Sequence, residues 1–229
     1  MATTYQEIID RAKSRVDMTQ SSFVSTDDWT EFLRDSYRNL YNKLVSKFQE
    51  YFLEPAASAA IDSDGQLAVP ADFQRLHAVD VEESGEWTTV WPANLSERNR
   101  FRGGSGIFLR RNPYIKYRLI KRDVWFFPAE RASGKTARVW YTPLPAKIST
   151  LSDSIPIEME QWSQHMVLDC CIMALLKEES DPSGFMAERQ LISLEIDEQA
   201  MLRDLQAQDQ VEDVTGGSWG DDEVLRGRY

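Results

Sequence analysis

The apolar residues of this chain change their period twice, and that double switch restricts its fold more than any other feature. Up to Phe52 they recur at helical spacing, between Pro55 and Asp153 they alternate, and from Ser154 the helical period returns. A chain written this way folds as helices, then a β insertion, then helices again. The fold class it predicts is α+β: an antiparallel helical bundle built from two N-terminal and two C-terminal helices, interrupted by an inserted antiparallel β domain. The expected parts are residues 1–54, 55–153 and 154–207, followed by an extended C-terminal arm, 208–229.

The first helix is carried by Tyr5, Ile8, Ile9, Ala12 and Val16, and patternless Thr19-Gln20-Ser21-Ser22 ends it. Ser25-Thr26-Asp27-Asp28 supplies N-cap oxygens and first-turn negative charge for the second. Its stripe, Trp29, Leu33, Tyr37, Leu40, Leu44, Phe48 and Tyr51, steps by four and three and places all seven on one face, widened by Phe32, Tyr41, Val45 and Phe52. So broad an arc packs against more than one neighbour, within the fold or in an adjoining subunit.

Turn residues punctuate the insertion at Ser63-Asp64-Gly65, Val69-Pro70-Ala71-Asp72, Ser84-Gly85 and Ser133-Gly134. Strands are expected around Val79 to Glu83, Trp87 to Val90, Tyr114 to Leu119, Val124 to Phe127 and Thr136 to Tyr141, closing as either a barrel or a sandwich. A third helix is expected from Ser154-Ile155-Pro156 to about Glu179. Asp181-Pro182-Ser183-Gly184 breaks the chain before a fourth helix with Phe185, Leu191, Ile192, Leu194, Ile196, Met201, Leu202 and Leu205. The apolar run Met166 to Leu176, interrupted by Asp169, has 11 residues, against roughly 20 needed to cross a bilayer. A buried helix is expected there, with no membrane as partner. The start of the chain reads as an amphipathic helix and not as a signal peptide, so a cytoplasmic site of synthesis and assembly is expected.

Net charge is −11 over 229 residues, but it is uneven. Between Arg98 and Arg138 twelve Lys/Arg face only Asp123 and Glu130, a local balance of +10 that leaves −21 for the rest. Such asymmetry fits a surface that meets one of opposite sign, whereas the acidic whole argues against wrapping nucleic acid. The basic loop Arg98, Arg100, Arg102, Arg110 and Arg111, around Gly103-Gly104-Ser105-Gly106, is the candidate contact to a neighbouring subunit or to DNA phosphates, with Phe101 and Phe108 placed to stack. A single-strand nucleic-acid-binding module is the reading such a loop offers against a protein contact. The arm past Gln206 is polar and acidic, yet carries Trp219, Val224, Leu225, Arg226, Arg228 and Tyr229. It reads as a segment that orders on a partner.

No arrangement for chemistry stands out, and no enzyme is expected. Ala129 to Thr136 ends in Gly-Lys-Thr at the spacing of a nucleotide-binding loop, which keeps a nucleotide-binding packaging factor as an alternative. That loop needs a strand before it and a helix after it, whereas Thr136 to Tyr141 reads as a strand, so a hairpin turn is expected. His77 and His165 have no partner by spacing, and no metal or cofactor is expected. Cys170 and Cys171, adjacent on a helix, are expected as small core residues without a disulfide.

Four phrases then fall in a particular order: Leu67-Ala68-Val69-Pro70-Ala71-Asp72-Phe73-Gln74-Arg75-Leu76 with Val79-Asp80-Val81; Glu97-Arg98-Asn99; Val139-Trp140-Tyr141-Thr142-Pro143-Leu144-Pro145; and Leu176-Lys177-Glu178-Glu179-Ser180-Asp181. In that order, between paired helices and over roughly Tyr5 to Asp204, the chain resembles the head-to-tail connector, or adaptor, proteins of tailed bacteriophages. The resemblance implies a four-helix bundle and a structural virion subunit at the head–tail interface. It implies a homo-oligomeric ring, commonly of twelve copies, under the portal protein, with double-stranded DNA passing through the channel without sequence-specific binding. The arm would dock on the portal or a neighbouring copy through Trp219 and Tyr229. The tail-side partner would be a stopper, a tail tube or a short-tail nozzle, and a tail-completion or minor virion protein is the alternative within the virion.

Overall fold

A computed structural model describes residues 2–19, 23–94 and 114–204. Helix α1 (Tyr5–Arg15) begins with a capping box, in which the Thr4 hydroxyl accepts from the Glu7 N–H and the Glu7 carboxylate accepts from the Thr4 N–H. Helix α2 (Thr26–Lys47) repeats the device with Ser25 and Asp28. Asp28 also receives a hydrogen bond from Lys177. That bond, then those from Ser25, holds its carboxyl at about 2, well below the usual carboxylate range.

Both Asp17 and Glu179 sit in the left-handed region, at φ 56° and 57°. At each the following N–H reaches back five residues, Met18 to Lys13 O and Ser180 to Leu175 O, so the orphan carbonyls of α1 and of the helix ending at Lys177 are satisfied.

The helical return is split. After the short helix α3 (Ala129–Ala132), Ile157–Glu160 forms a single turn, α4, Gln161 and Trp162 interrupt, and α5 runs over Ser163–Lys177. The single third helix expected from the sequence is therefore corrected to two pieces. Trp162 is buried at the junction and its N–H bonds the Met159 carbonyl, so burying the indole fixes the bend. Helix α5 is apolar nearly all round because it is central, packed against α1, α2 and α6 (Ser183–Asp204), while α2 also meets α1 and α6. Ile8, Leu33, Leu40, Met166, Cys170 and Ile196 are fully buried in one cluster. Each such aliphatic side chain contributes roughly 1.5–3 kcal/mol.

The α2 stripe is buried from Trp29 to Leu44, but the helix stops at Lys47 and a 3-10 turn, Gln49–Phe52, carries Tyr51 outward at 57 % exposure. The expected face of seven is thus five buried residues plus a half-buried Phe48. The end of the helix rotates Tyr51 off it.

The insertion forms an eight-stranded curled sheet: β1 (Glu54–Pro55), β2 (Ala59–Ala60), β3 (Gln66–Ala68), β4 (Phe73–Glu83), β5 (Glu86–Pro92), β6 (Lys116–Ile120), β7 (Asp123–Phe127) and β8 (Thr136–Pro143), with the short helix α3 (Ala129–Ala132) between the last two. Its order is β1-β8-β4-β5-β6-β7-β3, and β2 adds to β8. The segment from Ala59 to Ala68 lies on β8 at one end and on β7 at the other, tying the sheet's two ends together. Gly65, at φ 75°, turns it, and a Cβ there would come within 2.7 Å of Ala129 Cβ, so only glycine fits. Two register shifts in β4 bend the sheet. Pairing is antiparallel except that β5 and β6 run parallel through Trp91–Lys116 and Pro92–Tyr117, a correction to the wholly antiparallel insertion expected. Val79, Val81, Val124, Phe126 and Val139 fill a second core inside the curl.

The chain's start is tied to the segment that leads from the sheet back to the helices. Thr4 bridges Ser154, and the N–H groups of Tyr5 and Gln6 bond the carbonyls of Asp153 and Leu151. No described helix is long and apolar enough to cross a membrane.

Candidate assembly surfaces

Tyr41 on α2 donates a 2.7 Å hydrogen bond to the Pro143 carbonyl at the end of β8, and that contact joins the helices to the sheet. A cleft of about 720 Å³ opens beside it, between the end of α2, the strand exit Pro143–Lys147 and α4. Its wall is aromatic: Tyr37 lies 6.5 Å from Tyr41, Tyr41 5.1 Å from Phe52, and Phe52 6.1 Å from Tyr51, centroid to centroid. Its charge is negative, from Glu54, Asp72 and Glu158 against Lys147 alone. Burial is the main influence on the phenols, and the carboxylates add to it. Burial above all, with the Tyr37 phenol and the charges of Glu54 and Asp72 adding, pushes Tyr41 above its ordinary value. Burial raises Tyr37, with Glu158 adding, and Tyr141, which donates to Asp72, is raised by burial and that carboxylate. Such a cleft favours a cation with an apolar or aromatic neighbour.

A second surface lies on the solvent side of α6. Its inner face holds Ile196 and Ala200, but Met186, Leu191, Leu194, Met201 and Leu202 are exposed, Leu191 by 62 % and Met201 by 68 %. The spacing of the last four gives a second apolar stripe that the described residues leave uncovered.

The outer face of the sheet supplies a third. Asp80 on β4 accepts from Trp140 Nε1 at 2.6 Å, Thr89 Oγ1 at 2.8 Å and Arg138 at 3.1 Å. The Arg138 guanidinium stacks over both Trp87 and Trp140, 4.6 and 4.9 Å from the ring centroids. Burial opposes ionisation of Asp80, but its three hydrogen bonds and the Arg138 charge prevail and lower its pKa. Trp91, 71 % exposed, continues the aromatic row along β5.

The Gly-Lys-Thr stretch is a turn. The N–H groups of Ser133, Gly134 and Lys135 are spent on the carbonyls of Ala129, Ile61 and Ala132, Lys135 pairs with Glu83, and Thr136 opens a strand. A phosphate would find neither free N–H groups nor a helix N-terminus there. His77 bonds Thr142 at 2.7 Å, and burial lowers its pKa. His165 is buried on α5 beside Asp169. Cys170 and Cys171 are free and buried, and burial pushes the Cys171 thiol up to about 11. Among the described residues no group of three His, Cys, Asp or Glu is placed to hold a metal.

The basic-loop candidates Arg98, Arg100, Arg102, Arg110 and Arg111 lie outside the described residues. So do the arm candidates Trp219, Val224, Leu225, Arg226, Arg228 and Tyr229. Several described cations of the basic stretch are engaged internally: Arg118 bonds the Ala93 carbonyl, Arg122 those of Pro70 and Ala71, Lys135 pairs with Glu83 and Arg138 with Asp80. Sequence reasoning missed the cleft, whose members come from positions as distant as Tyr41 and Pro143, and the Asp80 network. The phrases Val69-Pro70-Ala71-Asp72, Val79-Asp80-Val81 and Tyr141-Thr142-Pro143-Leu144-Pro145 marked parts of that region in advance without showing that they meet.

The sequence model of the SU10 adaptor protein family matches residues 3–218. The chain belongs to the SU10 adaptor family. As a family member it is a bacteriophage adaptor, a virion component that associates with other virion proteins. The match takes in every described element of this SU10 adaptor but for residue 2, from the capping box at Thr4 to the exposed stripe of α6. A search of curated proteins found no match.

Proposed function

We propose that this adaptor is a non-enzymatic head-to-tail connector subunit. The helical parts, 1–54 and 154–207, form a bundle whose copies assemble as a ring, commonly of twelve, beneath the portal protein. The β insertion, 55–153, meets a neighbouring copy or the tail-side protein, and DNA passes through the ring. The observation that carries the reading is the uncovered apolar stripe of α6, in a chain matched along its length by an adaptor family. A side chain such as Leu191 or Met201, exposed among the described residues, gains burial against another protein surface, and a closed ring gives every copy the same neighbour.

Negative-stain imaging of the purified protein with and without its cognate portal tests this. A ring-shaped complex is expected with the portal, and deleting residues 208–229 is expected to weaken it. Absence of any ring with the portal overturns the proposal, and unchanged binding by the shortened chain removes the arm from it.

A further inference from the structure

The cleft beside Tyr41 is the middle of a longer groove. It shares Tyr51, Phe52 and Glu158 with a hollow of about 250 Å³ that reaches Gln199, five residues before the described end of α6. At its other side it shares Tyr37 and Lys147 with a hollow of about 280 Å³ that reaches Arg34 and Arg38 on α2. One end of the groove thus lies near the last described turn of α6, the other at Arg34 and Arg38, and its sign changes along its length. Arg34, Arg38 and Lys147 make one end positive, while Glu54, Asp72 and Glu158 make the cleft negative.

Residues 221–229 carry the complementary pattern. Asp221-Asp222-Glu223 comes first, then Val224 and Leu225, then Arg226, Arg228 and Tyr229. We propose that residues 221–229 of the same chain occupy this groove in the unassembled protein, with the acidic triplet at the Arg34–Arg38 end and Arg226 and Arg228 in the tyrosine-walled cleft. Both arginines then face carboxylates and aromatic rings, the two partners a guanidinium engages best. Val224 and Leu225 lie over the apolar segment at Pro145 and Ala146.

Reach permits it. Residues 205–220 span up to about 50 Å when extended, and α2 from Arg34 to Lys47 is only about 20 Å long. A tether of this kind gives an effective concentration in the millimolar range, so the segment of the same chain outcompetes that of a second copy at ordinary protein concentrations. An arm held in this way becomes available to a neighbouring virion protein only when that protein displaces it.

The test uses the isolated full-length chain, so its outcome is independent of ring formation on the portal. Spin labels are placed at Ser46→Cys, on the exposed side of α2, and at Gly227→Cys, and buried Cys170 and Cys171 stay unlabelled. Doubly labelled chains diluted in unlabelled protein are expected to give a short, narrow distance distribution. Arg226→Glu with Arg228→Glu should cut the short-distance population several-fold, as should Glu54→Lys with Glu158→Lys. Combining the two reversals should restore it, which also shows that the variants fold. A broad distribution in the unmodified arm, a short distance seen only between singly labelled copies, or indifference to both reversals overturns the proposal.

Discussion

Truncating Arg189 to alanine puts the buried carboxylate at the centre of the helices to the test. Asp169 is 2 % exposed, and its closest partner is Arg189 Nη1 at 2.7 Å; Ser36 Oγ at 3.4 Å and His165 Nδ1 at 3.6 Å are more distant. Stripping one partner from a fully buried ion pair costs about 3–5 kcal/mol, because the remaining charge is left without compensation. The Arg189 side chain is 38 % exposed, so water enters where the guanidinium was and recovers part of that loss. The expected cost of Arg189→Ala is therefore about 2 kcal/mol, within the range left by that recovery. For a chain of this size that corresponds to a fall in Tm of about 4–8 °C.

Differential scanning calorimetry at pH 7 gives the value, and Asp169→Asn closes a double-mutant cycle. The coupling between the two substitutions is expected to be at least about 1 kcal/mol, since each removes the same contact. Raising the salt concentration should leave it nearly unchanged, because a pair at this depth is poorly screened. A loss below about 0.5 kcal/mol for Arg189→Ala, or strict additivity in the cycle, would refute the view that Asp169 is held by Arg189.

Glu179→Gly should raise the urea midpoint by an amount equivalent to about 1 kcal/mol, since Glu179 sits at φ 57° at the end of α5, where a Cβ is unfavourable. Lys135→Ala is expected to leave nucleotide binding at zero by isothermal titration calorimetry, and to change stability by no more than about 1 kcal/mol, because its pair with Glu83 is partly exposed. His165 supplies a pH dependence. Burial, reinforced by Arg189 and Lys43 and opposed by Asp169, sets its folded pKa below the unfolded value of 6.5. The neutral ring therefore favours the folded state above that value, and the benefit is lost as pH falls through the lower folded pKa. Equilibrium unfolding should show a steeper loss between pH 7 and 5 in the wild type than in His165→Gln; equal slopes would refute it.

Features that depend on neighbours in sequence were legible. Ser25 caps α2 because its hydroxyl and the Asp28 carboxylate need only four consecutive residues to close their box. Ser84-Gly85 turns the β4–β5 hairpin at φ 57° and 86° for the same local reason. The switch from helical to alternating period at Pro55 marked where the helical core gives way to the sheet, since each core imposes its own spacing. What stayed hidden was fixed by distant residues. Nothing near Trp162 shows that its ring will be buried and split the third helix, and nothing near Tyr51 shows that α2 ends before reaching it. The parallel β5–β6 pair depends on the connection between them, which a period-two pattern does not encode.

Charge was legible in sum and misleading in detail. The +10 balance between Arg98 and Arg138 is real, but Arg118, Arg122, Lys135 and Arg138 are consumed in holding the sheet and its turns together. The Arg138 charge projects little, because a guanidinium between two indoles and a carboxylate presents little field to a partner. The segment from Arg98 to Arg111 differs in kind: five arginines and no acidic residue within it. The sequence's argument for an oppositely charged neighbour is therefore strongest for that loop, while the acidic cleft beside Tyr41 and the uncovered stripe of α6 are surfaces that composition could not have located.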